Sequence, residues 1–486
     1  MGVVFTFLIG LFMAFEPITD DDWFWHYVVG NWVNNNHAIP THELFSWFGN
    51  FSWTAHEWLT ELIMYKLTPL GCIIMMLVIF FFLYLIMVKS LRVKLNKILD
   101  FKLLYLLLMT VFFKVTGPRP YIISLLFFAY LIYVLFSYLD NKKWANKLIW
   151  SIPVLQILWV NLHGGSSSMS YIFIIGSLLC DGILRIIPTK FNRINYELLN
   201  KKQIKTLFII LGLTILASMI NPFGINMLFY SFTNMADNSM LDYILEWASA
   251  SFHGMFGLYL FIMIAVPIFN LILTKDKIKL HELGFQLLLF FMALKSQRFI
   301  GMYGIYSTWT IGKYMFIQDD FYEDIKKPFK KYEKVIKYSF CLVLALLIIL
   351  VGYKQTKTFI NTGIIDNDGF YSDAAVQKII ELKPKRIYND YSQGGYLLYK
   401  LNEDKALGDV QVFGYGLGDV FSKTILPDSV NLSDLYENPR EILDKYNFDV
   451  ILTTKNHTLH YFLDECNDYK LIFSDDMCYI YEKVEN

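Results

Sequence analysis

The sequence predicts a polytopic α-helical membrane protein with about eleven spans, followed by a small α/β domain. The chain is 55% hydrophobic, and only 18% of its residues are charged, whereas a soluble domain carries about 25% charge. Repeated apolar runs approach the roughly 20 residues that a helix needs to cross a bilayer. After residue 355 the composition changes to alternating helix and strand patterns, which indicates a separate domain at 355–486.

The apolar runs predict eleven spans within residues 1–354. They are residues 2–15, 68–88, 101–116, 121–138, 148–162, 167–187, 206–220, 256–274, 283–297, 299–317 and 337–353. The first run has no small-residue cleavage site after it, so we interpret it as a retained helix rather than a signal peptide. The formal net charge is zero, which argues against a nucleic-acid partner.

The basic residues predict the orientation, because lysine and arginine favour cytoplasmic loops. With a cytoplasmic N-terminus, the inside loops contain Lys89, Arg92, Lys94, Lys97, Lys142, Lys143, Lys147, Lys190, Arg193, Lys201, Lys202, Lys205, Lys275, Lys277, Lys279, Lys326, Lys327, Lys330, Lys331 and Lys334. The outside connections hold chiefly Arg119 and Arg298. We therefore expect a multi-pass plasma-membrane protein whose C-terminal domain is extracytoplasmic.

The longest predicted outer loop, residues 16–67, opens with ITDDDWFWHY and is rich in tryptophan. Residues 23–32 fit a short helix in the headgroup plane, on which Asp22 and His26 share a face. A carboxylate near the hydrocarbon boundary is partly desolvated and therefore more basic, as a general base for a hydroxyl or amine acceptor must be. The alternative is that the acids only form a solvated cap after the first span.

A second helix is predicted near AHEWLTELIMY, with His56 and Glu57 at its start. Further motifs follow in order along the chain: RPYIIS, LWVNLHGG, SMINPFGINMLFY, LEWASASFH, ALKSQRFIGMYG and IYNDYSQGGYLLYKL. Together with the first outer loop, these motifs resemble a mostly uncharacterised family of bacterial integral membrane proteins related to the GT-C glycosyltransferases. Glu43 and Gln393 depart from the pattern of that family, which usually has Asp and Trp at these positions.

The resemblance implies a GT-C-like fold and an inverting transfer of a hexose or pentose. The donor would be a polyprenyl-phosphate-linked sugar, and the acceptor an extracytoplasmic glycan, lipid or protein of the cell envelope. GT-C enzymes have their catalytic Asp in the first outer loop, just after the first span, where Asp20 and Asp22 are the matching positions. The neighbouring aromatic residues would then contact lipid and stack on the sugar.

The candidate substrate-binding residues are polar side chains near the predicted outer face. They are His26, His56, Glu57, Arg119, His163 and Arg298, with Glu246 and His253 as further candidates. The arginines would bind the donor phosphate, unless each pairs with an acid or extends to the membrane surface. His163 precedes two glycines that permit close approach to a ligand, but a structural hydrogen bond is the favoured alternative for a lone histidine at this position. No metal is predicted, although a carboxylate-lined site could hold a divalent ion.

The tail predicts one small sheet. DAAVQKIIELK and PREILDKY indicate helices, KRIYND and FDVILTT indicate strands, and YKLIFSDDMCYIYEK indicates a closing hairpin. SQGGY lacks both GxGxxG and a Walker lysine, so we expect acceptor recognition or a lid rather than nucleotide binding. The spacing leaves open whether Cys466 and Cys478 form a disulfide.

Two other function classes remain open. A transporter or lipid flippase would also be polytopic, but no internal repeat or symmetric pair of broken spans is evident. A non-catalytic scaffold for envelope assembly would use the loop and tail only to bind a partner. Of these three function classes, only the enzyme requires a carboxylate at Asp20 or Asp22 while needing no transport pathway through the helices.

Overall fold

The computed structural model describes residues 2–93, 101–112, 117–187, 191–235, 238–316, 330–367, 369–403, 410–436 and 438–484. The chain divides into two compact units. Unit 1 comprises residues 1–16, 73–233 and 246–361, and unit 2 comprises residues 17–72, 234–245 and 362–486. Several residues assigned above to inside loops lie outside the described residues: Lys94, Lys97, Lys190, Lys326 and Lys327.

Helices dominate the part of the chain that the structure describes. In order they are α1 (Gly2–Ala14), α2 (Asp21–Asn36), α3 (Trp58–Ser90), α4 (Phe101–Phe112), α5 (Tyr121–Leu139), α6 (Ala145–Leu148), α7 (Ile152–Leu162), α8 (Met169–Ile186), α9 (Lys201–Ala217), α10 (Asn226–Met235), α11 (Asn238–Tyr243), α12 (Gly254–Leu273), α13 (Leu280–Lys295), α14 (Ile300–Lys313), α15 (Glu333–Thr362), α16 (Asp373–Leu382), α17 (Gly394–Glu403), α18 (Gly418–Phe421), α19 (Ile425–Asp434), α20 (Pro439–Tyr446) and α21 (Leu459–Glu465).

Within the described residues, a helix lies at each of the eleven predicted spans, although residues 113–116 of the third span are not described. Five helical segments are long and apolar enough to cross a membrane: Trp58–Ser90, Tyr121–Leu139, Gly164–Ile186, Gly254–Leu273 and Lys334–Thr362. Others are shorter, such as α1 with 13 residues. These five segments fit a membrane protein by length and composition, while the count of eleven crossings stays a prediction.

Helix α14 lies in the core of unit 1. Every residue from 300 to 312 is buried, including the large side chains of Tyr303 and Tyr306. Their hydroxyls donate to the carbonyl oxygens of Ile264 at 2.6 Å and Glu282 at 2.9 Å. Hydrogen-bonding these hydroxyls removes most of the cost of burying them, so α14 can pack against α12 and α13.

A buried polar network links the ends of three helices in unit 1. Lys313 of α14 donates from Nζ to Asp140, which follows α5, at 2.7 Å and to Glu282 of α13 at 2.9 Å. The indole N–H of Trp309 donates to the same Glu282 oxygen at 2.9 Å. Because a buried charge is tolerated only when it is paired and hydrogen-bonded, this network fixes the three helix ends together.

The strands found among the described residues form two sheets. In unit 1, β1 (Ile194–Asn195) and β2 (Ile278–Lys279) form a parallel pair. In unit 2, β3 (Ile387–Asn389), β4 (Val450–Thr454), β5 (Tyr469–Ser474) and β6 (Cys478–Lys483) form one sheet in the order β3-β4-β6-β5. The β3–β4 pair is parallel and the other pairs are antiparallel.

The structure confirms the secondary structure predicted for the tail. DAAVQKIIELK contains α16, PREILDKY is α20, the two predicted strands are β3 and β4, and the closing hairpin is β5–β6. SQGGY leads into α17, which begins at Gly394. All five cysteines, which lie within the described residues, are free thiols, so Cys466 and Cys478 do not form a disulfide.

Most of the first outer loop and most of the tail, residues 17–67 and 362–486, belong to unit 2. Isolated bridges pair Ile18 with Ile365 and Ser46 with Val412. The indole N–H of Trp47 donates to the carbonyl oxygen of Ile387 at 2.7 Å. Loop residues therefore complete the packing around the β3 strand of the tail.

Burial of the loop tryptophans corrects the expectation that they contact lipid and sugar. Trp23, Trp25 and Trp53 are all buried inside the protein. Trp23 stacks on Tyr27 with ring centroids 5.1 Å apart and lies edge-on to Tyr399 of the tail. The physical reason is that the tail offers these rings an apolar surface, so they serve as core residues of unit 2.

Candidate functional site

Helix α2 of unit 2 carries the three acids of the opening motif near its N-terminus. Asp20 is the N-cap, and its Oδ1 accepts a hydrogen bond from the N–H of Asp22 at 3.1 Å. Asp is among the preferred N-cap residues, and acidic residues in the first turn are favoured by the helix dipole. The helix predicted at 23–32 is therefore confirmed, and its capping explains why acids begin it.

Asp21 has a structural contact that the sequence did not predict. Its two carboxylate oxygens accept hydrogen bonds from the N–H groups of Gly395 at 3.1 Å and Tyr396 at 2.9 Å. These are first-turn amides of α17, which lack partners within their own helix. Burial raises the pKa of Asp21 well above its usual range, although the two amides oppose this shift. Asp21 thus caps a tail helix from the first outer loop.

Asp22 is oriented by an aromatic side chain and by the tail backbone. The indole N–H of Trp25 donates to Asp22 Oδ1 at 3.1 Å. A Cβ atom added to Gly416 would lie only 2.1 Å from the same oxygen. The tail therefore approaches Asp22 so closely that only glycine fits at position 416 without displacing the carboxylate.

His26 contacts two glutamates, Glu57 and Glu61. Its Nδ1 lies 2.9 Å from Glu61 Oε1 and 3.5 Å from Glu57 Oε2. Burial by itself would lower the pKa of His26, but these carboxylates raise it above the ordinary value. His56 lies on the other side of the same group, with Nε2 3.4 Å from Glu57 Oε1. The predicted residues His26, His56 and Glu57 are thus brought together.

Glu61 is the residue of this cluster that the sequence analysis missed. It follows Glu57 by four positions, and its N–H donates to the Glu57 carbonyl oxygen at 3.1 Å. Residues four apart on a helix share a face, so the HEWLTE motif contained the signal. His56 and Glu57 immediately precede α3, as predicted.

The candidate arginines are brought together in unit 1. Arg119 Nη1 lies 3.4 Å from Glu246 Oε2, and Arg298 Nη1 donates to Glu246 Oε1. The guanidinium of Arg298 also lies 4.8 Å from the ring centroid of Trp247 and 5.5 Å from that of Tyr121, within the range of cation–π attraction. Both arginines therefore pair with one acid, which is the alternative that the sequence left open.

His163 has the geometry of a structural residue. It is fully buried at the end of α7, with Nδ1 2.6 Å from the hydroxyl of Ser124 on α5. The same hydroxyl accepts from the indole N–H of Trp159 at 2.7 Å. This arrangement links α5 to α7 and fits the structural alternative for His163. His253, by contrast, lies exposed just before α12.

This protein is similar to known proteins in its structure, but no sequence comparison finds a match. No protein-family model matches the sequence, and no curated protein sequence matches it. The archaeal oligosaccharyltransferase AglB from Archaeoglobus fulgidus, solved with an inhibitory peptide and a dolichol-phosphate, aligns with a TM-score of 0.50 at 9% identity. The chain resembles AglB in fold. The alignment covers 93% of this chain and 69% of that chain.

A second structure, the Archaeoglobus fulgidus oligosaccharyltransferase in complex with Zn and sulfate, aligns with a TM-score of 0.47 at 11% identity. It covers 93% of this chain and 68% of that chain. At 9% identity the likeness to AglB concerns the fold alone, and at that level it agrees with the expected GT-C-like fold. The AglB-like architecture has no bearing by itself on substrate or catalytic residues.

Proposed function

We propose that the protein is an inverting membrane glycosyltransferase. It transfers a sugar from a polyprenyl-phosphate-linked donor to an extracytoplasmic acceptor, with an aspartate of the first outer loop as general base. The AglB-like fold supports the enzyme class, since AglB is an oligosaccharyltransferase solved with a dolichol-phosphate. The observation that carries the proposal is the placement of Asp20 and Asp22 at the start of α2, directly after the first apolar helix in the sequence.

Asp22 is the preferred base among the three acids. Asp20 caps α2 and Asp21 caps α17, so these two contacts account for the presence of both acids. Asp22 accepts from the indole N–H of Trp25, a hydrogen bond that orients the carboxylate without neutralising it. A general base must be held within hydrogen-bond reach of the proton it removes, and the close approach of Gly416 restricts Asp22 further.

The arginine pair is the proposed binding site for the donor phosphate. Arg119 and Arg298 converge on the Glu246 carboxylate, and a phosphate presents the same kind of oxygen acceptors to a guanidinium fork. A bound lipid phosphate would replace Glu246 as the partner of one or both arginines. In this proposal Glu246 keeps two like charges together until the donor arrives.

The test is a reconstituted assay that separates transfer from transport. Purified protein in proteoliposomes is supplied with radiolabelled polyprenyl-phosphate sugars and with a membrane extract as acceptor source. We expect label to leave the lipid and appear covalently on an acceptor. Movement of intact labelled lipid between leaflets, without covalent transfer, would identify a flippase and refute the proposal. If none of the labelled donors supports either covalent transfer or lipid movement, the result would favour a non-catalytic scaffold.

A further inference from the structure

A buried cluster of three potential metal ligands lies where α2 meets the start of α3. His26, Glu57 and Glu61 each offer one ligand atom within 4.8 Å of the others, and all three side chains are buried. His26 lies in α2 and Glu61 in α3, while Glu57 lies in the turn directly before α3. Helices hold ligands in fixed positions better than loops do.

The contact between the two segments is direct. A Cβ atom added to Gly30 of α2 would lie 2.0 Å from the carbonyl oxygen of Glu61. Glu57 and Glu61 lie one helical turn apart, since the N–H of Glu61 donates to the Glu57 carbonyl. The backbone therefore sets the spacing between the imidazole on α2 and the two carboxylates opposite it.

The distances within the cluster match those between neighbouring ligands of one ion. Ligand atoms bound about 2.0–2.2 Å from a metal lie roughly 3.0–3.5 Å from each other. His26 Nδ1 lies 2.9 Å from Glu61 Oε1 and 3.5 Å from Glu57 Oε2. One oxygen of each carboxylate thus lies at a ligand-like distance from the imidazole nitrogen of His26.

An unsatisfied buried oxygen provides a second, independent observation. Glu61 Oε2 is buried and has no hydrogen-bond partner among the described residues, and only 1% of the Glu61 side chain is exposed. An ion pair with His26 uses only Oε1. Burying a carboxylate oxygen without a partner is unfavourable, and a cation at this position would bind it.

We propose that His26, Glu57 and Glu61 bind a divalent transition-metal ion of the Zn²⁺ or Mn²⁺ class. Two carboxylates carry the charge that a divalent ion balances, and an imidazole nitrogen favours these metals over Ca²⁺ and Mg²⁺, which prefer oxygen ligands. His56, with Nε2 3.4 Å from Glu57 Oε1, would act in the outer shell by orienting one ligand carboxylate. Metal binding is measured without sugar transfer, so its test is separate from the test of the proposed activity.

The experiment measures metal content in the full-length protein, purified without a polyhistidine tag. After treatment with a chelator, the protein is dialysed against Zn²⁺ or Mn²⁺, and bound metal is measured by mass spectrometry and by Mn²⁺ electron paramagnetic resonance. We expect about one ion per chain for the wild type. Glu61→Gln and His26→Gln should each weaken binding by at least about tenfold.

Two matched variants control for burial and residue type. Glu43→Gln removes another buried carboxylate of unit 2, and His42→Gln removes an exposed histidine of the same loop; both should bind metal like the wild type. If the wild type binds no metal, the cluster is an ion pair between a protonated His26 and two glutamates, and the proposal is wrong. Equal metal binding by wild type and Glu61→Gln would also overturn it. The metal content of the wild-type protein tests the proposal even if a variant misfolds.

Discussion

The carboxylate of Glu43, in the first outer loop, is bound mainly by backbone amides. Its Oε1 accepts hydrogen bonds from the N–H groups of Phe45 and Ser46 and from the hydroxyl of Tyr415. Burial nevertheless raises the pKa of Glu43 from 4.5 to about 7. The desolvation of the charged form therefore outweighs the hydrogen bonds that stabilise it.

This shift predicts how stability depends on pH. The folded state binds a proton at Glu43 more tightly than the unfolded state, so its contribution is fully present below pH 4.5 and is lost as pH rises through about 7. The loss should be at most about 3 kcal/mol of unfolding free energy. Glu43→Gln mimics the protonated acid and should remove this dependence. Thermal unfolding of both proteins in detergent across that range checks this, and parallel pH profiles would contradict it.

Arg119 and Arg298 provide a second test at the residue scale. Replacing either arginine with alanine should reduce use of the lipid donor by about ten- to a hundredfold, because one charge-assisted phosphate contact is worth roughly 1.5–3 kcal/mol. Arg→Lys should cost less than Arg→Ala, although lysine lacks the planar fork that matches phosphate. The measurement is the KM for a labelled polyprenyl-phosphate sugar. Parent-like KM values in both alanine variants would place the donor site elsewhere.

At the scale of elements, the contact between α2 and α3 depends on one glycine. Gly30 lies against the backbone of Glu61, where an added methyl group would come within 2.0 Å of a carbonyl oxygen. Gly30→Ala should therefore destabilise the protein by about 1–3 kcal/mol, despite the gain of about 1 kcal/mol in helix propensity. Gly212→Ala is the matched control, because this helical glycine has nothing within 4 Å of its Cβ position.

The readout for the glycine pair is the melting temperature of the purified proteins. We expect a decrease for Gly30→Ala and no change or an increase for Gly212→Ala. Equal melting temperatures for the two variants would mean that α2 and α3 separate at little cost.

The elements that sequence analysis predicted well are those with a strong local signal. Apolar runs located helices at every predicted span, and alternation in the tail located β3, β4 and the β5–β6 hairpin. The sequence did not reveal that Asp21 caps α17 or that Gly416 approaches Asp22, because both contacts join residues far apart in the chain. It also could not show that Trp23 is buried by the tail rather than by lipid, since both environments favour the same aromatic side chain.

At the scale of the whole molecule, the distribution of basic residues predicts which parts face the cytoplasm. We expect the loop containing Lys327 to be cytoplasmic and the domain containing Lys385 to be external. Lys327→Cys and Lys385→Cys, made in a background without the native cysteines, can be probed with a membrane-impermeant thiol reagent on intact cells. Labelling at 385 but not at 327 is expected, and the reverse pattern would invalidate the orientation and with it the extracytoplasmic site.

The most direct test of the account concerns the carboxylate proposed as the general base. Asp20→Asn keeps a good N-cap. Asp21→Asn loses one of two backbone contacts, which should lower the stability by about 1–3 kcal/mol. Its turnover should fall less than that of Asp22→Asn. These variants are controls for Asp22→Asn, which preserves shape but removes the basic oxygen.

The measurement is the rate of sugar transfer in membranes that contain equal amounts of each variant. The account predicts that Asp22→Asn lowers turnover by about 10²–10⁴ while protein level and donor binding stay near normal. Full and equal activity in all three asparagine variants would contradict it, and would leave the acids as caps of α2 and α17.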